Sequence, residues 1–252
     1  MTIVSIVAVA AVALLFWYAL VAVLDLPKIL LPSPWQVLRA GWAERETLLW
    51  GTWITGVTAA VSLLVALVIG GGLSVLFSQS ALIRRAFFPY IVFLQTVPIV
   101  AIAPLLVIWS GYTFRSAVIA TVIICLFPII NNTTTGLMAV RRDHDELFRL
   151  YGVGRTGRLV RLQFPGAMPQ IMLGLRISSG LAVIGAIVAE FFVSNGSTYD
   201  GLGALMTGWQ GRSQTDALMA ALFASAALGL VLFGFVQLVA ATVLRRWTRL
   251  ET

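Results

Sequence analysis

Long apolar stretches alternate with short polar ones along this chain, and the apolar stretches are too long for the elements of a soluble core. Charge-free runs cover residues 1–24, 47–83, 86–114 and 116–140. Residues 170–193 are interrupted only by Arg176 and Glu190, and 217–244 close the set. About 20 apolar residues at ~1.5 Å each cross ~30 Å of hydrocarbon. Each run therefore predicts a spanning helix, at about residues 3–24, 56–77, 88–109, 116–138, 170–193 and 217–244. The first run lacks a basic leader and an A-x-A-like cleavage site, so it reads as an uncleaved span. The 37 residues of the second run would make a helix of roughly 56 Å. Its beginning is therefore interfacial, and Trp35, Trp42, Trp50 and Trp53 cluster there as an aromatic belt does. The short segment from Ser110 to Arg115 makes the third and fourth spans antiparallel neighbours. The prediction is an all-α membrane protein with six transmembrane helices, one transmembrane unit over residues 1–252.

Composition agrees with that pattern. Of 252 residues, 60% are hydrophobic and 11% charged, where a soluble domain carries ~25% charged residues. Mean hydropathy is +0.96. One cysteine, Cys125 in an apolar run, and one histidine, His144 in a charged loop, exclude a disulfide scaffold, a Cys-based metal cluster and a multi-histidine metal centre. The only lysine, Lys28, stands outside any glycine-rich loop, so the chain holds no phosphate-cradling motif. No metal and no cofactor is expected.

Six spans put both termini on one side. With that side taken as cytoplasmic, the inner segments hold eleven basic residues: Arg84, Arg85, six arginines between 141 and 161, Arg245, Arg246 and Arg249. The outer segments hold five, namely Lys28, Arg39, Arg45, Arg115 and Arg212. The asymmetry predicts cytoplasmic termini. The net charge of +7 then reports topology, with membrane lipid as the neighbour and nucleic acid not expected as a partner.

The polar segment 141–165 predicts two short helices. Asp143 followed by Glu146 fits a variant capping box, and Gly152 is a helix stop. Leu147, Phe148 and Tyr151 fall on one side of the first helix, and Asp145, Glu146 and Arg149 on another. Thr156 is positioned to cap the second, which ends at Pro165 and carries Arg155, Arg158 and Arg161 as one stripe. On pattern alone the segment reads equally as a positively charged anchor with surface helices. Its spacing, Glu146, Gly152, Leu162 and Phe164-Pro165, resembles the E-A-A-x3-G-x9-I-x-L-P signature of permease subunits of ABC importers, with Leu147 and Phe148 where the family has alanines. Other fragments are similar to the nitrate/sulfonate/taurine branch: Leu31-Pro32-Ser33-Pro34, Pro98, Pro104, Trp109, Gly111, Phe127-Pro128, Asn131, Gly174-Leu175-Arg176, Ala189-Glu190 and Gly201-Leu202-Gly203.

The resemblance implies a multi-pass permease of a bacterial inner (plasma) membrane. It implies a homodimer that meets cytoplasmic ABC ATPase subunits, with Asp145, Glu146, Leu147, Phe148, Tyr151, Gly152, Arg155, Arg158 and Pro165 forming the coupling loop between the fourth and fifth spans. An extracytoplasmic solute-binding protein would deliver a small solute, of sulfonate, taurine, nitrate, pyrimidine or riboflavin type. ATP hydrolysis would lie in the partner, so the chain itself is no enzyme. The rival readings are an ion-coupled secondary transporter, a membrane-embedded hydrolase and a non-transporting scaffold. A secondary transporter would show inverted repeats or several intramembrane acids, and this chain has one such acid.

Polar groups within the spans mark a candidate translocation path: Gln95, Thr96 and Pro98 in the third, Asn131 and Asn132 in the fourth, Arg176 and Glu190 in the fifth. Prolines free carbonyls that neighbours must satisfy, so these spans are expected to face more than lipid. The Asn/Thr cluster reads equally as an inner gate and as inter-helix bonding. Arg176 and Glu190 lie roughly 21 Å apart along one helix and cannot pair. Arg176 either snorkels or serves gating or subunit contact, and Glu190 is either interfacial or at the outer mouth of the path. Gly70-Gly71-Gly72 is expected to allow close helix packing.

Overall fold

In hydrocarbon every backbone N–H and C=O needs a partner within the segment, so apolar runs of this length fold as helices. A computed structural model describes residues 2–193 and 200–248. Its helices are α1 (Thr2–Val23), α2 (Pro34–Ala43), α3 (Arg45–Gln79), α4 (Ala81–Thr96), α5 (Ile99–Ser110), α6 (Phe114–Met138), α7 (Arg142–Leu150), α8 (Arg155–Arg158), α9 (Phe164–Val193), α10 (Leu202–Gly211) and α11 (Thr215–Thr248). No strand occurs among the described residues. Arg249, counted above on the inner side, lies outside them.

Four segments are long and apolar enough to cross a membrane: Arg45–Gln79, Phe114–Met138, Arg155–Val193 and Thr215–Arg245. The bent pair α4 and α5 is long and apolar enough only when taken together, as a broken span or a re-entrant loop, which makes four to five candidate spans. The expected six full spans are thus met only in part. Helix α1 (Thr2–Val23) is apolar along its length, but it is not among the four, its shorter apolar stretch being Val7–Val23. The third run is not one straight span either, because α4 and α5 meet at 98°. Val97 is extended (ψ 122°) and Pro98 caps α5 with ψ 124°. Proline removes a helical donor and drives the preceding residue out of the α region, which breaks the helix there. The second run is a single 35-residue helix, and the Trp35, Trp42, Trp50 and Trp53 side chains near its start are all exposed.

The core is built where α3, α6 and α9 cross. Ala59, Leu63 and Ala66 meet Cys125, Ile129 and Leu137, with Ala167, Ile171, Leu175, Ala182 and Ala186 from α9. Small residues let these backbones approach. A methyl added at Gly136 would lie 2.7 Å from Gln170 Cβ, and one at Gly174 3.0 Å from the Pro128 carbonyl oxygen. Polar side chains then bond across helices. Ser178 Oγ donates to the Cys125 carbonyl (3.1 Å), while Ser74 and Ser62 donate chiefly within α3, to the Gly70 (2.7 Å) and Thr58 (2.6 Å) carbonyls, with the Ile130 and Val118 carbonyls of α6 as longer second acceptors at 3.2 and 3.4 Å.

Of the three consecutive glycines only Gly70 serves this packing, its added methyl falling 2.8 Å from Ile129 Cγ2, while Gly71 and Gly72 have nothing within 4 Å. Overpacked cores cost typically ~1–3 kcal/mol or more. Gly136→Leu is therefore expected to abolish recovery of monodisperse protein in detergent. Gly72→Ala is expected to melt at or slightly above wild type, because alanine favours a helix by up to ~1 kcal/mol over glycine. Equal melting of the two variants would contradict this packing.

Around that core, α2, α10 and the start of α11 form a second cluster containing Val37, Leu48, Leu202, Trp209, Ala217 and Ala221. The motif Ser33-Pro34-Trp35-Gln36 explains α2. Ser33 Oγ accepts from Gln36 N (3.4 Å), Gln36 Oε1 accepts from Ser33 N (2.8 Å), and Pro34 occupies the first helical turn, a complete capping box. Lys28 and Asp216 form an ion pair at 2.8 Å, and Thr215 Oγ1 donates to the Ile29 carbonyl (2.7 Å). These two contacts tie the segment after α1 to the start of α11.

Candidate translocation path and coupling helix

Helix α7 spans the nine residues Arg142–Leu150. Its start departs from the predicted capping box: Arg141 is the N-cap, and no side chain caps it. Acidic residues in the first turn and Arg149 in the last still complement the helix dipole. Its end is as predicted. Gly152 adopts φ +68°, its N–H donates to the Arg149 carbonyl (2.9 Å), and the Val153 N–H donates to the Phe148 carbonyl (3.0 Å). That double bond is a Schellman ending.

The charged side of α7 faces the end of the bundle. Asp145 pairs with Arg149 at 2.9 Å and with Arg158 at 3.2 Å. The Arg158 contact lies within ion-pair distance but off a hydrogen-bond axis, since Nε has no aligned acceptor. Asp145, Glu146 and Arg149 share a cavity of about 490 Å³ with Ser78, Arg158 and Gln163. Apolar side chains are left outside. Leu147 is 48% exposed, Leu150 85% and Tyr151 80%, while Phe148 is half-buried. Leu150, absent from the predicted strip, joins it.

The segment after α7 differs from the predicted second helix. Gly154, not Thr156, caps α8, and Pro165 does not end the helix. A π turn over Leu159–Gln163 leads directly into α9, so Arg155–Val193 is one rod. Pro165 and Pro169 lack N–H donors, and widening the turn ahead of them lets the helix continue. The predicted arginine stripe is split. Arg158 turns inward to Asp145, its side chain 18% exposed, while Arg155 and Arg161 stay exposed.

The candidate path residues fall into three separate places. Gln95, Thr96 and Pro98 are exposed at the bend between α4 and α5, where Thr96 Oγ1 donates to the Phe93 carbonyl (2.8 Å). Asn131 and Asn132 are half-buried near the end of α6, and Asn132 Nδ2 donates to the Pro128 carbonyl (2.8 Å), satisfying an acceptor beside the proline. Arg176 is half-buried in α9, and its Nε is enclosed without a hydrogen-bond partner.

Glu190 is fully buried, with an exposure of 0%. Oε2 accepts from Thr55 Oγ1 (2.8 Å) and from the Gly203 N–H (3.0 Å), and Thr55 Oγ1 accepts from the Leu202 N–H (2.8 Å). Leu202 and Gly203 begin α10, with Gly201 as its N-cap. Two orphan donors of that helix are thus satisfied by side chains from α3 and α9, and a carboxylate sits at the positive end of its dipole. Only glycine fits here. A methyl at Gly201 would overlap the Glu190 carboxylate, and one at Gly203 would overlap the Ile187 carbonyl. The sequence signal was Gly201-Leu202-Gly203 beside an intramembrane acid; Thr55, 135 residues from Glu190, gave none.

A family model described as "Binding-protein-dependent transport system inner membrane component" matches residues 62–249, which takes in most of the core, α7, Glu190 and α10, with Thr55 ahead of it. The chain belongs to this family. It is 35% identical over 210 residues to the formylaminopyrimidine transport permease protein ThiX of Halalkalibacterium halodurans, covering 82% of each chain. It is 31% identical to a probable ABC transporter permease protein of Haemophilus influenzae, over 88% of this chain and 89% of that one. The riboflavin transport system permease protein RibX of Chloroflexus aurantiacus is 30% identical, over 87% of this chain and 81% of its own. This protein is a membrane permease subunit of an ABC transporter for a small solute. The secondary-transporter and scaffold alternatives fall with that membership.

Proposed function

We propose that two copies of this chain form the pore of an importer, and that each docks one cytoplasmic ATPase subunit through α7. The observation that carries this reading is the orientation of α7: its charges are paired toward the bundle, and Leu147, Leu150 and Tyr151 are left exposed at its end. Exposed apolar and aromatic side chains on a polar body suit insertion into a partner's groove. One docking helix per chain suits a two-fold dimer. ATP binding would draw the ATPases together, and α7 would pass that movement through the Asp145–Arg158 pair into the α9 rod. An extracytoplasmic binding protein would present solute at the opposite end, near α10. Both termini face the cytoplasm, as the arginine asymmetry supports, and the chain crosses six times, with α1 and the bent α4–α5 pair completing the set.

Gln95, Thr96, Pro98, Asn131, Asn132 and Arg176 contribute to the path. Glu190 acts one step back from it by holding α10. The solute is a compact planar or oxyanionic molecule, of the kind named for the formylaminopyrimidine, riboflavin, sulfonate and nitrate relatives. Site-directed labelling tests the orientation. A cysteine replacing His144, in a Cys125→Ser background, is expected to react with a membrane-impermeant maleimide only in inverted vesicles. Labelling in intact cells would overturn the placement of α7.

A further inference from the structure

A crevice of about 640 Å³ opens between the start of α4 and the end of α6, walled by Arg84, Arg85, Phe88, Asn131, Thr134 and Met138, and none of its lining residues is acidic. Arg84 is fixed at its rim, because Nη1 donates to the Phe77 carbonyl (2.9 Å) and lies 3.1 Å from Met138 Sδ. Arg85 is exposed and forms no salt bridge among the described residues.

A second feature points to a ligand. Thr134 is 4% exposed, lines the crevice, and its hydroxyl has no hydrogen-bond partner. A helical threonine ordinarily donates to the carbonyl three or four residues back, and the Thr134 hydroxyl makes no such bond. Of its neighbours, Asn132 bonds to the Pro128 carbonyl and Thr135 to the Asn131 carbonyl, each at 2.8 Å; the Thr133 hydroxyl is also buried without a partner, but only Thr134 lines the crevice. A buried hydroxyl without a partner costs free energy unless something bonds to it.

Two guanidinium groups, an amide and an idle hydroxyl, with no competing carboxylate, suit an oxyanion of phosphate type. The depth of the site and its flanks decide the source. Arg84 and Arg85 are the first charged residues after Glu46, so they stand where the apolar rod of α3 leaves the hydrocarbon and headgroups begin. Beside them Leu82 is 79% exposed and Phe87 56%, an apolar track for acyl chains. We propose that this crevice binds the headgroup of an anionic phospholipid from the adjoining leaflet, with Arg85 and Thr134 on the phosphate and Arg84 as the fixed positive rim. The site shares Met138 with the cavity beneath the charged side of α7 but includes none of its exposed apolar residues, and it does not depend on which side is cytoplasmic.

The test is native mass spectrometry of the full-length chain in mild detergent. The added probes are phosphatidylglycerol, phosphatidylcholine with the same acyl chains, or inorganic phosphate. Wild type is expected to retain phosphatidylglycerol over phosphatidylcholine by about fivefold or more, the worth of one basic residue near anionic lipid. The preference should fall below about twofold in Arg85→Gln/Thr134→Val and persist in Arg39→Gln, whose charge lies elsewhere. Arg85→Lys should keep much of the preference, which separates lost charge from lost folding. Equal retention of both lipids by wild type, an unchanged preference in the double variant, or displacement of the lipid by inorganic phosphate would each overturn the proposal. Normal solute uptake alongside any of those results would leave the permease reading intact.

Discussion

Glu190→Ala is expected to lower the melting temperature of the purified permease more than any other conservative truncation in the fifth span. The substitution leaves the Thr55 hydroxyl and the Gly203 N–H as buried donors with no acceptor. Each such group costs about 1–3 kcal/mol, so the pair costs about 2–6 kcal/mol, and a shift of roughly 4–24 °C follows for a chain of this size. Glu190→Gln should lose less than half as much, because one oxygen, Oε2, takes both bonds and an amide oxygen can do the same. Thr55→Val should resemble the alanine variant, since the hydroxyl both donates to Glu190 and accepts from the Leu202 N–H. Uptake should track stability across the three, because the cluster holds α10 rather than touching solute. A melting curve for Glu190→Ala that superposes on wild type would remove this account. If Glu190→Gln melts as wild type and yet transports nothing, the carboxylate charge itself works in the path.

The second large effect is expected at the end of α7. Leu150→Asp/Tyr151→Asp places two charges on side chains that are 85% and 80% exposed, so the bundle should insert and fold as before. An interface anchored on such residues loses at least ~2 kcal/mol per anchor. ATPase co-purification should then fall by roughly thirtyfold or more, and uptake with it. Gly152→Pro attacks the same element through the backbone. Proline cannot reach φ +68° and has no N–H for the Arg149 carbonyl, so the Schellman ending is lost and the docking residues are misdirected. Both variants should leave membrane insertion unchanged. Wild-type ATPase recovery from either would move the docking surface elsewhere on the chain.

Much of this was legible in the sequence because it depends on near neighbours. Glycine at the end of α7 acts within a few residues of itself and reads as the stop. The break after Val97 and the Ser33-Pro34-Trp35-Gln36 capping box are just as local, yet the apolar pattern predicts one span over residues 88–109 and no helix at α2. The misreadings have equally physical causes. Pro165 signals a helix end under a local rule, yet a π turn absorbs its missing donor and the rod runs on to Val193. Arg155, Arg158 and Arg161 share a helical face by spacing, but Asp145 lies within reach of only one of them, and Arg158 turns inward. Gly70, Gly71 and Gly72 are identical in sequence, and only the first has Ile129 against it.

The sequence by itself determined that the chain lives in a membrane, that it is helical, and that its one long polar segment carries an amphipathic helix ended by a glycine. Hydrophobicity, helical period and backbone conformational limits are properties of the residues and their near neighbours, so they can be read in order along the chain. The tertiary structure alone decided that Glu190, Thr55 and the start of α10 form one buried cluster, and that Thr134 is left with an idle hydroxyl beside two arginines. A buried polar group is tolerated or not according to which partner reaches it, and that partner can stand 135 residues away.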